Sequence, residues 1–88
     1  MTLDDRPLFE RGVRLSATVQ GMMLLVPEGA VRLNRPAEAA LSLVDGSRTV
    51  RDITAAIGER FAGESAAIER DVLGLFEHLA KRRFVVCA

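Results

Sequence analysis

The chain has 88 residues, 49% hydrophobic and 27% charged, which is one domain's worth of an ordinary globular protein and excludes a second domain or a disordered chain. Its twelve basic and twelve acidic residues cancel, five against five in residues 1–44 and seven against seven in residues 45–88, so neither half carries the positive footprint that nucleic acid binding requires. The longest internal apolar run, MMLLV at 22–26, is far short of the roughly 18 residues of a membrane span, and the first residues lack the basic and apolar regions of a signal peptide; a cytoplasmic protein is expected.

In chain order, residues 1–12 contain Pro7 and Gly12 and little periodic pattern. They read as an N-terminal arm on a single domain of residues 1–88, with Leu8-Phe9 available for pairing. Val13 and Leu15 alternate with Arg14 and Ser16, as in a strand with one buried face, and the run at 22–26 has the length of a strand covered on both sides. Pro27-Glu28-Gly29 is turn chemistry, because proline presets φ and glycine supplies positive φ. Val31 and Leu33 then alternate with Ala30, Arg32 and Asn34. The result is a meander of three short strands, the second one central.

The remainder reads as helical. Pro36 suits a first turn, and Ala37, Ala40, Leu41 and Val44 follow at helical spacing until Asp45-Gly46 stops the element. Thr49 stands three residues before Asp52, a near relative of the capping box, and Val50, Ile53, Ile57 and Phe61 form the buried stripe of a second helix. A third helix is expected over 65–82, with Ile68, Val72, Leu75 and Leu79 on one face and Lys81-Arg82-Arg83 suited to the negative end of its dipole. Phe84-Val85-Val86 is a candidate terminal strand. Three strands followed by three helices make an α+β fold.

Catalytic equipment is sparse. His78 is the only histidine and Cys87 the only cysteine. Nucleophilic catalysis needs a base held against an activated nucleophile, and a zinc site needs several such ligands. His78 falls on a polar flank of the third helix with Asp71 and Arg82. No glycine spacing matches a phosphate-binding loop. Neither enzymatic activity, a cofactor nor a metal is expected.

Two features are not explained by folding alone. The strand at 30–33 is an edge whose outward N–H and C=O groups have no partner in a meander, and Arg32 is its only charge; a short edge can also exist with no further role. The third helix has an unusually wide apolar arc: with Ile68 at 0°, Val72, Leu75 and Leu79 lie within about 40°, Phe76 near 80°, Ala80 near 120° and Leu73 near 140°. A surface helix needs an apolar stripe of about 100°. The extra flank fits a second packing face, a homodimer contact or a binding groove. An edge strand beside an apolar helix flank is the arrangement by which domains add a peptide as an extra strand.

Arg11-Gly12-Val13-Arg14-Leu15, Pro27-Glu28-Gly29, Leu33-Asn34 and Leu43-Val44-Asp45-Gly46-x-Arg48-Thr49-Val50, in this order and spacing, resemble the PqqD family of pyrroloquinoline quinone biosynthesis over nearly the whole chain. The resemblance implies a winged helix-turn-helix-like domain that serves as a peptide chaperone. Such proteins bind a ribosomal precursor peptide and deliver it to a radical S-adenosylmethionine (SAM) enzyme that cross-links a glutamate and a tyrosine of the peptide. The family's peptide site, third strand with third helix, maps onto Ala30, Val31, Arg32 and Leu33 and onto Glu69, Leu73, Phe76 and Ala80. Arg35-Pro36 and Met22-Met23 depart from the family's pattern outside that groove. Related recognition domains serve other modified-peptide pathways, so the cargo stays open. A winged-helix DNA binder is the weaker alternative, because the second helix sets only Arg51 and Arg60 against Asp52 and Glu59.

Overall fold

A computed structural model describes all 88 residues. In chain order the elements are β1 (Pro7–Phe9), β2 (Arg14–Thr18), β3 (Gly21–Val26), β4 (Gly29–Arg32), α1 (Arg35–Leu41), α2 (Val50–Arg60), α3 (Ser65–Lys81) and β5 (Val85–Cys87). The expected three-stranded antiparallel meander and three helices are present, with β3 between β2 and β4. Both hairpin turns are two residues long, Val19-Gln20 and Pro27-Glu28, as fixed by the pairs Thr18–Gly21 and Val26–Gly29. Gly29 leaves the second turn at φ 153°, which an L side chain rarely adopts.

Leu15, Leu24 and Val31 lie opposite one another across the three strands and therefore share a face. Leu24 is fully buried and the two neighbours are half-buried, so this is the inner face. Met23 and Leu25 point the other way and are only half-buried. The run at 22–26 is thus central but not covered on both sides: its length is that of a buried strand, yet Met23 and Leu25 on its outer face keep part of their surface in water.

The helices begin where local chemistry places them. The Asn34 side chain accepts the Ala37 backbone N–H at 2.9 Å, with Pro36 in the first turn. α1 ends at Leu41, three residues short of Val44. There the ladder tightens to Leu43 N–H on Ala40 and Val44 N–H on Leu41, and the Ser42 hydroxyl bonds back to the Ala39 carbonyl at 2.7 Å. Bonds of that kind compete with the helical ladder.

At α2 the capping box is complete: the Thr49 hydroxyl accepts the Asp52 N–H at 3.1 Å and the Asp52 carboxylate accepts the Thr49 N–H at 3.0 Å. That Thr49 backbone N–H, and then the Thr49 side chain, hold the Asp52 carboxyl below its ordinary value of 3.8. A lowered carboxyl contributes stability above its unfolded value and loses it as pH falls through the folded one. The thermal midpoint gap between wild type and Asp52→Asn should therefore be constant over about pH 5 to 7 and close as pH falls below about 4. Thr49→Ala should lower unfolding free energy by about 1 kcal/mol, read by chemical denaturation.

Residues 1–12 are built into the domain rather than hung from it. The carbonyls of Asp5 and Leu3 accept the N–H groups of Val50 and Arg51, the two first-turn donors of α2 that Thr49 cannot reach. β1 pairs antiparallel with β5, Leu8 opposite Val86, and Pro7 is fully buried. Gly46 N–H bonds to the Pro7 carbonyl and Glu10 N–H to that of Phe84. β1 and β5 thus form a two-stranded sheet of their own.

The core is a single cluster of 12 buried hydrophobic residues drawn from sheet and helices, including Leu24, Leu41, Val50, Ile53, Ile57, Val72, Phe76, Leu79 and Val85. No helix is long and apolar enough to cross a membrane.

Candidate peptide-binding cleft

His78 and Cys87 are exposed, and no group of three His, Cys, Asp or Glu side chains is close enough to hold a metal. Arg51, one of two basic residues on α2, is paired with Asp4 at 3.2 Å.

The open edge of β4 can be resolved residue by residue. In a hairpin closed by two residues the closing pair, Val26 and Gly29, exchanges both backbone bonds, and hydrogen-bonded pairs then alternate along the ladder. Leu24 and Val31 form the next such pair. The N–H and C=O groups of Gly29 and Val31 therefore point to β3, while those of Ala30 and Arg32 point outward. β4 has β3 as its only neighbour, so four backbone groups stand without a partner. The Val31 and Leu33 side chains are half-buried, whereas Ala30 and Arg32 are exposed. Of the four edge positions singled out in the sequence, two present backbone and two anchor the strand.

Two hollows bracket this edge along α3. Just beyond the end of β4, about 230 Å³ is enclosed by Asn34, Pro36 and Ala37 on one side and Asp71, Val72 and Leu75 on the other. At the turn leading into β4, about 320 Å³ lies between Pro27 and Glu28 and the residues Arg82, Arg83 and Phe84. Start of strand therefore lies near end of helix, and β4 and α3 run in opposite directions along a common cleft. At about 100° per residue, Asp71, Leu75 and Arg82 lie near −60°, −20° and −40° from Ile68, with exposed His78 between them near −80°.

That flank is opposite to the one selected from the sequence. The buried face of α3 is Val72, Phe76 and Leu79, centred about 50° round from Ile68 toward Phe76. Phe76 is 0% exposed, so it belongs to the core and cannot line a groove. Glu69 faces away from β4, into a hollow shared with Leu3, Arg51, Thr54 and Ala55. Leu73 and Ala80, near 140° and 120°, lie on that same side and are half-buried. The structure instead brings Leu75 and Asp71 to the end of β4 and Arg82 to the turn that precedes it. Their signal in the sequence is a single leucine among polar residues spaced i, i+4, i+7 and i+11, which periodicity assigns to the rim of the core.

Comparison with known proteins agrees with this architecture. The family described as Coenzyme PQQ synthesis protein D (PqqD) matches residues 21–85. The PqqA binding protein of Azotobacter vinelandii is 43% identical over 86 residues, covering 96% of this chain and 92% of that protein. The bifunctional coenzyme PQQ synthesis protein C/D of Methylorubrum extorquens is 38% identical over 81 residues, 90% of this chain but 22% of that longer protein. Among solved structures, the solution structure of the PqqD truncation of Methylobacterium extorquens PqqCD, described as a recognition element for ribosomally synthesized and post-translationally modified peptides, superposes with a TM-score of 0.76 at 38% identity, covering 91% of this chain and 87% of that one. Lasso peptide synthetase B1, solved with a leader peptide, shares the fold with a TM-score of 0.79 at 19% identity, over 92% of this chain and 98% of that one. With close relatives aligned over nearly their whole length and a matching three-strand, three-helix fold, the chain belongs to the PqqD family.

Proposed function

We propose that this chain is a peptide chaperone of pyrroloquinoline quinone biosynthesis, which binds the PqqA precursor peptide as a fourth strand on β4 and presents it to a radical SAM enzyme. Its role is recognition rather than catalysis. The observation that carries the reading is the unpaired backbone of Ala30 and Arg32 opening on the α3 cleft. Relatives named PqqA binding protein and a solved relative described as a peptide recognition element support the cargo. Added to β4, a peptide gains up to four backbone bonds at about 1 kcal/mol each. Two side chains lodged in the hollows contribute about 1.5 to 3 kcal/mol each. Against an ordering cost of about 2 to 5 kcal/mol, the net reaches at most about 8 kcal/mol, a micromolar Kd.

Titration of the ¹⁵N-labelled protein with synthetic PqqA peptide is expected to give micromolar binding, with the largest amide shifts at residues 30–33 and 71–82. No binding, or shifts confined to the Glu69 hollow, would sink the proposal. Arg32→Pro deletes one outward N–H, whereas Arg32→Ala keeps it. Proline should weaken binding about fivefold relative to alanine, the worth of one backbone bond, with both variants still folded by circular dichroism.

A further inference from the structure

We infer that the hollow where the β3–β4 turn meets the end of α3 is a subsite for a carboxylate side chain of the bound peptide, held by Arg82 and Arg83. This rests on the strand-addition reading and gives it a chemical requirement. The hollow, about 320 Å³, is lined by Arg82, Arg83 and Phe84, by Glu10 and Arg11, and by Glu28 of the turn. The protein's three ion pairs are Arg48–Asp45, Arg51–Asp4 and Arg70–Asp71. None of the guanidinium groups in the hollow is among them. Of the two carboxylates nearby, that of Glu10 is turned to the Arg11 backbone N–H at 2.8 Å, and Glu28 takes part in no ion pair. Cations at a helix end interact favourably with its dipole, but that benefit does not account for the conformation here.

α3 ends in a Schellman turn, with Phe84 N–H on the Leu79 carbonyl and Arg83 N–H on that of Ala80. The left-handed position of this turn is ordinarily glycine. Here it is Arg83, at φ 60°, the one non-glycine residue of the chain at positive φ. Strained positions filled by a functional side chain mark sites where the side chain, not the backbone, is needed. The turn aims Arg83 into the hollow, while the Arg82 guanidinium lies 5.4 Å from the centroid of the Phe84 ring. Stacked on that face, it keeps its N–H edge free for a carboxylate. Glu28 precedes Ala30, the first outward-bonding residue of β4, by two positions, so a strand added at Ala30 and extended past the turn crosses this hollow.

The test is a double-mutant cycle between protein charge and peptide charge. Wild type and Arg82→Gln/Arg83→Gln are titrated with synthetic PqqA peptide and with the same peptide carrying Gln and Asn for every Glu and Asp. The double variant is expected to bind the natural peptide about tenfold more weakly, about 1.4 kcal/mol, and to bind the neutralised peptide as wild type does. Equal losses with both peptides, or no loss with either, overturn the subsite while leaving strand addition intact. Failure of wild type to bind either peptide overturns both. Arg83→Gly separates the two roles of that position: relief of strain should raise the melting temperature while affinity for the natural peptide falls. An Arg83→Gly variant that melts higher and binds unchanged also overturns the proposal.

Discussion

Phe76→Ala is expected to lower the stability of the domain by about 3 to 5 kcal/mol, the usual loss when a buried aromatic is removed and its cavity only partly collapses. The expectation follows from position. Phe76 is 0% exposed and is the largest of the fully buried side chains. It shares the buried face of α3 with Val72 and Leu79, in a core of 12 buried hydrophobic residues. A domain of this size is stable by about 5 to 15 kcal/mol in all, so the loss takes a large share of the total. Phe76→Leu, which keeps most of the volume, should lose less than about 1.5 kcal/mol. Urea denaturation of both variants decides the matter. An alanine variant within about 1 kcal/mol of wild type would return Phe76 to the groove and contradict its burial.

What the sequence disclosed and what it did not divide along the range of the interactions involved. The turn at Pro27-Glu28, the Thr49 cap and the length of α3 were all legible because each is decided by residues within a few positions of one another. The edge strand was legible for the same reason, and its parity followed once the turn length was known. The N-terminal segment was not. Its hold on the domain comes from Pro7 and Leu8 meeting Cys87 and Val86, and from carbonyls offered to the start of α2. Neither partnership leaves a periodic trace in three-residue strands. The end of α1 was missed because Val44 continues the apolar spacing after the ladder has already tightened. The flank of α3 was missed because helical spacing fixes which residues share a face but not how the face is turned. Centring it on Ile68, which is half-buried, instead of on the buried face of Val72, Phe76 and Leu79 placed the expected groove on the flank turned away from β4.

That last difference yields the sharpest functional comparison. Leu75→Glu is expected to weaken binding of PqqA peptide about thirtyfold, about 2 kcal/mol, and Leu73→Glu to leave it within about twofold of wild type. Both leucines are half-buried, and both lie beside the buried face of the same helix, so each variant should lose a comparable amount of stability. Their surroundings differ. Leu75 borders the hollow at the end of β4 with Pro36, Ala37 and Val72, where a peptide side chain entering from an added strand would meet it. A glutamate there removes that apolar contact and sets a charge in a site that binding desolvates. Asp71, on the same wall, would repel it further, while the exposed pairing of Asp71 with Arg70 offers little relief. Leu73 lies about 160° round the helix from Leu75, on the Glu69 side, where the new carboxylate can turn to water. Thermal melts of the two variants calibrate any folding loss, and calorimetric titration against one peptide stock reads the affinities. Should Leu73→Glu prove the weaker binder, the peptide lies on the α2 side of α3, and the open backbone of Ala30 and Arg32 would have to act without the helix.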